Sequence, residues 1–163
     1  MKPKQAAPPP PPPPPRRSPL AWAVVLLLAL ALLGQTGRMR DRITAGKMLR
    51  QVELLSMAAI ARNELPSGLV PSNLELLRRA QTLAPSEIGV HIARGTQYLL
   101  LGNGITAAQA YREALKLEPR PETYLNLGRA LAAAGQMEEA REQFRLALKL
   151  DPRMEPMVPA ELR

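Results

Sequence analysis

The sequence predicts an all-α protein: a short α-solenoid of about three helical hairpins preceded by an N-terminal transmembrane helix. Three observations carry that expectation. One helical-hairpin pattern occurs twice in succession between Ile88 and Pro152, Leu20 to Leu33 contains no polar group, and Arg38 to Asn63 repeats apolar residues at helical spacing. The chain has 163 residues, a net charge of +8, 3% aromatic residues and no cysteine. Disulfides, thiolate catalysis and cysteine-ligated zinc are therefore excluded, while the redox compartment stays open. Arginine outnumbers lysine and Ala, Leu and Pro are abundant, which points to a GC-rich bacterial genome.

Residues 1–18 form a basic, proline-rich tail with Lys2, Lys4, an unbroken run from Pro8 to Pro15, then Arg16 and Arg17. Prolines fix φ and supply no amide donor, so the run is expected to be a polyproline II rod roughly 25 Å long. Such a rod serves as a stiff spacer or as a ligand for an aromatic-lined groove.

Residues 19–37 follow as the membrane segment. The apolar run alone makes about 21 Å of helix, and with Ser18 and Gly34 to Gly37 it reaches about 30 Å, the hydrocarbon thickness. Trp22 falls near one interface. A cleaved signal peptide is the alternative, with Ala29 and Ala31 as its A-x-A site, but cutting there would leave Leu32 and Leu33 at the new terminus. Basic residues flank both ends, so the positive-inside rule leaves the orientation open.

Residues 38–53 are read as a connecting helix, part of the longer helix Arg38 to Asn63, with Ala45, Met48, Val52, Leu55 and Ala59 on one stripe. Pro66 and Gly68 end it. Ser72 and Glu75 have capping-box spacing and are expected to start the next helix. Residues 54–87 then form a degenerate hairpin. Its Leu77, Ala80 and Pro85 match Tyr111, Ala114 and Pro119 of the next unit. The same count places Met57, Ile60, Ala61 and Gly68 at the motif positions, with a longer loop than in the neighbours.

Residues 88–120 and 121–154 are the clear units. The second gives Tyr124, Leu127, Gly128, Leu131, Gly135, Ala140, Phe144, Ala147 and Pro152; the first gives His91, Arg94, Gly95, Tyr98, Gly102, Ala107, Tyr111, Ala114 and Pro119. Gly95 and Gly128, facing Ala107 and Ala140, let two backbones approach, and Tyr111 and Phe144 fill the space beside that contact. Gly102 and Gly135 end the first helix of each unit. Thr106 to Gln109 has capping-box spacing for the second helix. One hairpin cannot bury its apolar face alone, so the units must stack.

This pattern resembles the tetratricopeptide repeat, with its aromatic-x2-Leu-Gly-x2-Tyr, Ala-x3-Phe and Pro signature and a period of about 34 residues. The resemblance implies a binding groove lined by the first helix of each unit: Ile92, Thr96 and Leu99, then Leu125, Asn126, Arg129 and Ala133. Such a groove suits an extended or helical peptide of a protein partner. The two-carboxylate clamp of chaperone-binding relatives needs Lys and Asn where this chain has Ile92 and Thr96, so chaperone tails are not expected.

Residues 155–163 form a C-terminal tail. Pro156 and Pro159 make residues 153–163 read as non-helical, which leaves the last helix without a polar cap. Phe144, Leu148 and Leu150 are then candidates for partner binding or self-association as a homo-oligomer, unless Met154, Met157 and Val158 lie across them.

No catalytic constellation, P-loop, cofactor motif or metal site is visible. His91 takes an aromatic packing position, and Glu138, Glu139 and Glu142 form the acidic start of a helix. Residues 38–163 hold 18 basic and 14 acidic groups, interspersed, so nucleic acid is not an expected partner. The expected protein is a membrane-anchored scaffold of an envelope complex, in the bacterial inner membrane with its repeats facing the periplasm, an orientation that rests on its likeness to single-pass repeat proteins. A secreted periplasmic module, a cytosol-facing import receptor and an enzyme with an unrecognised site are the alternatives.

Overall fold

The computed structural model describes residues 19–162. In chain order they form α1 (Pro19–Ala61), α2 (Leu69–Leu83), α3 (Ile88–Leu100), α4 (Gly104–Leu117), α5 (Pro121–Ala133) and α6 (Met137–Leu150), then 3-10 turns over Pro152–Met157 and Ala160–Leu162. The proline-rich tail, with its expected rod, lies outside the described residues. The chain divides into two compact units, Met1–Gly37 and Arg38–Arg163.

In the first unit the described residues are helical, and the large apolar side chains from Leu20 to Leu33 are 48–74% exposed. The stretch Trp22–Ala61 is long and apolar enough, by length and composition, to cross a membrane.

The second unit is an array of helical hairpins. In its last two hairpins the register matches expectation. A Cβ placed on Gly95 would sit 2.6 Å from the Tyr111 ring, and one on Gly128 would sit 2.6 Å from the Phe144 ring. The missing side chains are therefore the space the rings occupy. Tyr111 and Phe144 are 1% and 0% exposed, and burying each ring contributes about 1.5–3 kcal/mol. Gly102 and Gly135 have φ of 71° and 77°, the left-handed conformation that closes a helix cheaply.

The first hairpin departs from the expected register. Leu77 and Ala80 are fully buried as their positions require, but Met57 and Ile60 are 67% and 59% exposed. The reason lies at the end of α1. Asn63 takes φ 51°, and Glu64 N–H bonds to the Ala59 carbonyl as Asn103 bonds to Tyr98 and Gln136 to Leu131. Asn63 is thus the counterpart of Gly102 and Gly135, a role expected of Gly68. Counting back from Asn63 puts Ser56 where Gly95 and Gly128 stand, and Val52, Ser56 and Ala59 are buried accordingly. Leu55, expected on the buried stripe, is 43% exposed. The expected longer loop is present as residues 62–68.

Both expected capping boxes are corrected. α4 starts at Gly104, because Asn103 Oδ1 accepts from Thr106 N–H at 3.0 Å. α2 starts at Leu69 after Gly68, whose φ is 90°, with Pro71 in the first turn where no intrahelical donor is needed. Glu75 pairs with Arg78 and Arg79, both at 2.9 Å, and caps nothing.

The C-terminal tail is corrected too. Asp151 caps the turn at Pro152 by accepting from Arg153 N–H, and the segment is 3-10 helical despite Pro156. Met154, Val158 and Leu162 are 6%, 2% and 6% exposed and join the apolar cluster of Leu131, Phe144 and Ala147. The last hairpin is therefore covered. Met157 is 55% exposed and takes no part in that cover.

Candidate protein-interaction groove

α1 and α3 bound a pocket of about 400 Å³, lined by Val52, Glu53, Ser56, Met57, Ile60, Gly89, Ile92, Ala93, Thr96, Gln97 and Arg120. Its walls are apolar because successive turns of α1 and α3 present Val52, Met57, Ile60, Ile92 and Ala93. Two of its polar side chains, Ser56 and Gln97, belong to a buried network with Asn73: Ser56 Oγ accepts from Asn73 Nδ2 at 3.2 Å and Gln97 Nε2 at 3.0 Å, and Asn73 Nδ2 also donates to Gln97 Oε1 at 3.0 Å. Ser56 and Asn73 stand where the other hairpins have the small pairs Gly95 and Ala107, Gly128 and Ala140. A hydrogen bond here replaces the close backbone contact, while Asn73 Oδ1 stays unpaired.

Thr96 Oγ1 lies 3.2 Å from the Ile92 carbonyl and 3.1 Å from Tyr111 Oη, a contact in which either hydroxyl can donate. Burial pushes the Tyr111 phenol up from its ordinary pKa, with the Thr96 hydrogen bond opposing. Arg120, at the pocket's edge, is held by both oxygens of Glu118 at 2.8 and 2.7 Å. That pairing raises the Arg120 pKa and lowers that of Glu118.

Of the expected groove residues, Ile92 and Thr96 line the pocket. Leu99 is half-buried against the core and Asn126 is half-buried. Ala133 is exposed, and Arg129 is exposed with Nη2 donating to the Met157 carbonyl at 3.2 Å. Leu125 is a correction: at 3% exposure it belongs to the apolar cluster and not to the groove surface. Phe144 is a second correction, since its ring is fully buried against Gly128 and presents nothing to a partner. Leu148 is half-buried and Leu150 is 56% exposed.

The α1 contribution was missed because the count from Pro85 misplaced that helix. Val52, Ser56 and Ala59, spaced four and three apart and followed by Asn63, were the available signal.

His91 is 6% exposed with Nε2 3.2 Å from the Pro85 carbonyl, so Nε2 carries the proton and the ring joins the α2–α3 turn to α3. Glu139 pairs with Arg112 and Glu138 with Arg141. Among the described residues no group of three or more His, Asp or Glu could hold a metal ion.

The family model described as Tetratricopeptide repeat matches residues 93–155. A comparison with curated proteins finds no match. Among solved structures, the chain is similar to a thermophilic TPR protein of Thermus thermophilus at 27% identity and a TM-score of 0.61, covering 82% of this chain and 73% of that one. The Arabidopsis OM64 TPR domain gives 20% identity, coverage of 71% and 88%, and a TM-score of 0.60. The Yersinia enterocolitica type III secretion chaperone SycD, in complex with a peptide of the translocator YopD, gives 16%, 68% and 84%, and 0.54. These last two likenesses bear on fold alone. Residues 93–155 thus match the tetratricopeptide-repeat family model, and the chain shares the helical-hairpin solenoid architecture of these solved proteins.

Proposed function

We propose that this chain is a membrane-anchored adaptor that holds a peptide or helix of a protein partner in the groove between α1 and α3, with Asn126, Arg129 and Ala133 extending the contact along α5. The observation that carries this reading is the pocket: apolar walls, two buried hydrogen-bonding side chains and Thr96 open toward one concave site. SycD, of the same fold, is described with a bound peptide. Residues 19–37 serve as the anchor. The exposed large apolar side chains from Leu20 to Leu33 support that role. The repeats face the periplasm and recruit a component of an envelope complex, and nothing in the groove calls for catalysis.

A photo-crosslinking residue placed at Met57 or Ile92 in intact membranes tests the groove, with one at the exposed Arg145 of α6 as control. The groove positions are expected to capture one partner that Arg145 does not, and Ala93→Glu to abolish the capture. Equal capture from all three positions would refute the groove. Extraction of the chain by alkaline carbonate would refute the anchor.

A further inference from the structure

The rim of the α1–α3 pocket carries a charge opposite to that of the chain. The protein as a whole is +8. Around Arg120, however, stand Glu118, bonded to it, and Glu122 and Glu87, which act on its charge through space. Glu53 lines the pocket from α1 and forms no ion pair among the described residues; Arg50, one turn earlier, forms none either. Glu53, Glu87, Glu118 and Glu122 thus outnumber Arg50, Arg120 and Arg129, the last of which acts on the Tyr111 hydroxyl beside Thr96. Most of these side chains are exposed, so the excess acts through solvent and weakens as salt rises.

We infer that the groove's ligand is a basic, apolar peptide: one bulky apolar side chain enters between Val52, Met57, Ile60 and Ile92, and a neighbouring lysine or arginine lies beside Glu53. The inference rests on the proposed peptide-binding groove and names the chemistry of its ligand. Ser56 supplies a further contact. Its oxygen already accepts two hydrogen bonds, which leaves its O–H to donate to a peptide carbonyl. An acidic peptide would bring like charges against Glu53 and the carboxylates around Arg120.

The probe is a pair of fluorescein-labelled helical peptides with identical leucine positions, one with lysine and one with glutamate at every polar position. Their anisotropy is followed with the full chain in phosphatidylcholine nanodiscs, empty discs subtracted. The lysine peptide is expected to bind about tenfold tighter at low salt, with the gap narrowing as salt screens it. Non-specific attraction to a +8 chain would favour the glutamate peptide, so this preference cannot arise from net charge. Glu53→Lys, on an exposed side chain, is expected to close the gap with an unchanged thermal melt. Equal binding of the two peptides, a preference for glutamate, or a gap that Glu53→Lys leaves intact overturns the inference while groove binding stands. If neither peptide binds, the groove reading falls with it.

Discussion

Gly128 and Gly104 are both tight, but for different reasons. A Cβ at Gly128 meets the Phe144 ring, a side chain that can tilt, whereas a Cβ at Gly104 would lie 2.5 Å from the Ala130 carbonyl oxygen and 2.7 Å from the Ala134 nitrogen, which are backbone atoms of α5 and its C-terminal cap. Gly128→Ala is therefore expected to cost about 1–3 kcal/mol, and Gly104→Ala to reach or exceed the top of that range, because α4 and α5 must separate. Paired thermal melts decide the order. Gly128 could be found from its repeat position, but Gly104 could not, since Met137 occupies the corresponding place in the next unit and no motif demands glycine there. The buried network gives a second residue-scale test. Asn73→Ala removes donors to Ser56 and Gln97 and leaves Gln97 Oε1 buried without its partner, a change expected to cost about 1–3 kcal/mol by denaturant unfolding.

At the scale of elements, the C-terminal turns do the work of a capping helix without being one. Met154, Val158 and Leu162 reach the apolar cluster, and Arg129 and Arg141 hold the tail's backbone by donating to the Met157 and Glu161 carbonyls at 3.2 and 3.5 Å. Val158→Glu would bury a charge and is expected to lower the melting temperature by several degrees or more. Leu150→Glu, at a side chain 56% exposed, is expected to leave it nearly unchanged. Equal effects would mean that the tail does not cover the hairpin. α2 offers a pH test. Hydrogen bonds from Arg78, then Arg79, lower the Glu75 pKa from 4.5 to about 2. A carboxylate whose folded pKa is depressed stabilises the fold above its unfolded pKa and loses that effect as pH falls through the folded value. The difference in melting temperature between the protein and Glu75→Gln is therefore expected to be constant above about pH 5 and to vanish toward pH 2.

The molecule as a whole was most legible where units repeat. Gly95 with Tyr111 and Gly128 with Phe144 could be read as contacts because two copies agree, whereas α1 had no second copy to check its register. There Ser56 and Asn73 replace the small-residue pair and Asn63 replaces the closing glycine, so the unit keeps the geometry with different chemistry. The pocket has the same gap: Ile92 and Thr96, expected on a groove, line it, but its α1 wall and the carboxylates around Arg120 depend on folded neighbours. This difference in chemistry also predicts how the array comes apart. In a solenoid each unit is stabilised by itself and its neighbours, so local openings follow local packing. The hairpin of α1 and α2 buries Ala45, Val52, Leu77 and Ala80 and carries the exposed connection 62–68, while those of α3 to α6 close around Tyr111 and Phe144 under the tail's cover. Native-state hydrogen exchange is therefore expected to show the amides of Leu77 and Ala80 exchanging well before those of Leu131 and Ala147. Uniform protection across α2 to α6 would instead mean that the array opens as one cooperative body, with the Ser56, Asn73 and Gln97 network coupling the first hairpin to the rest as firmly as an aromatic ring does.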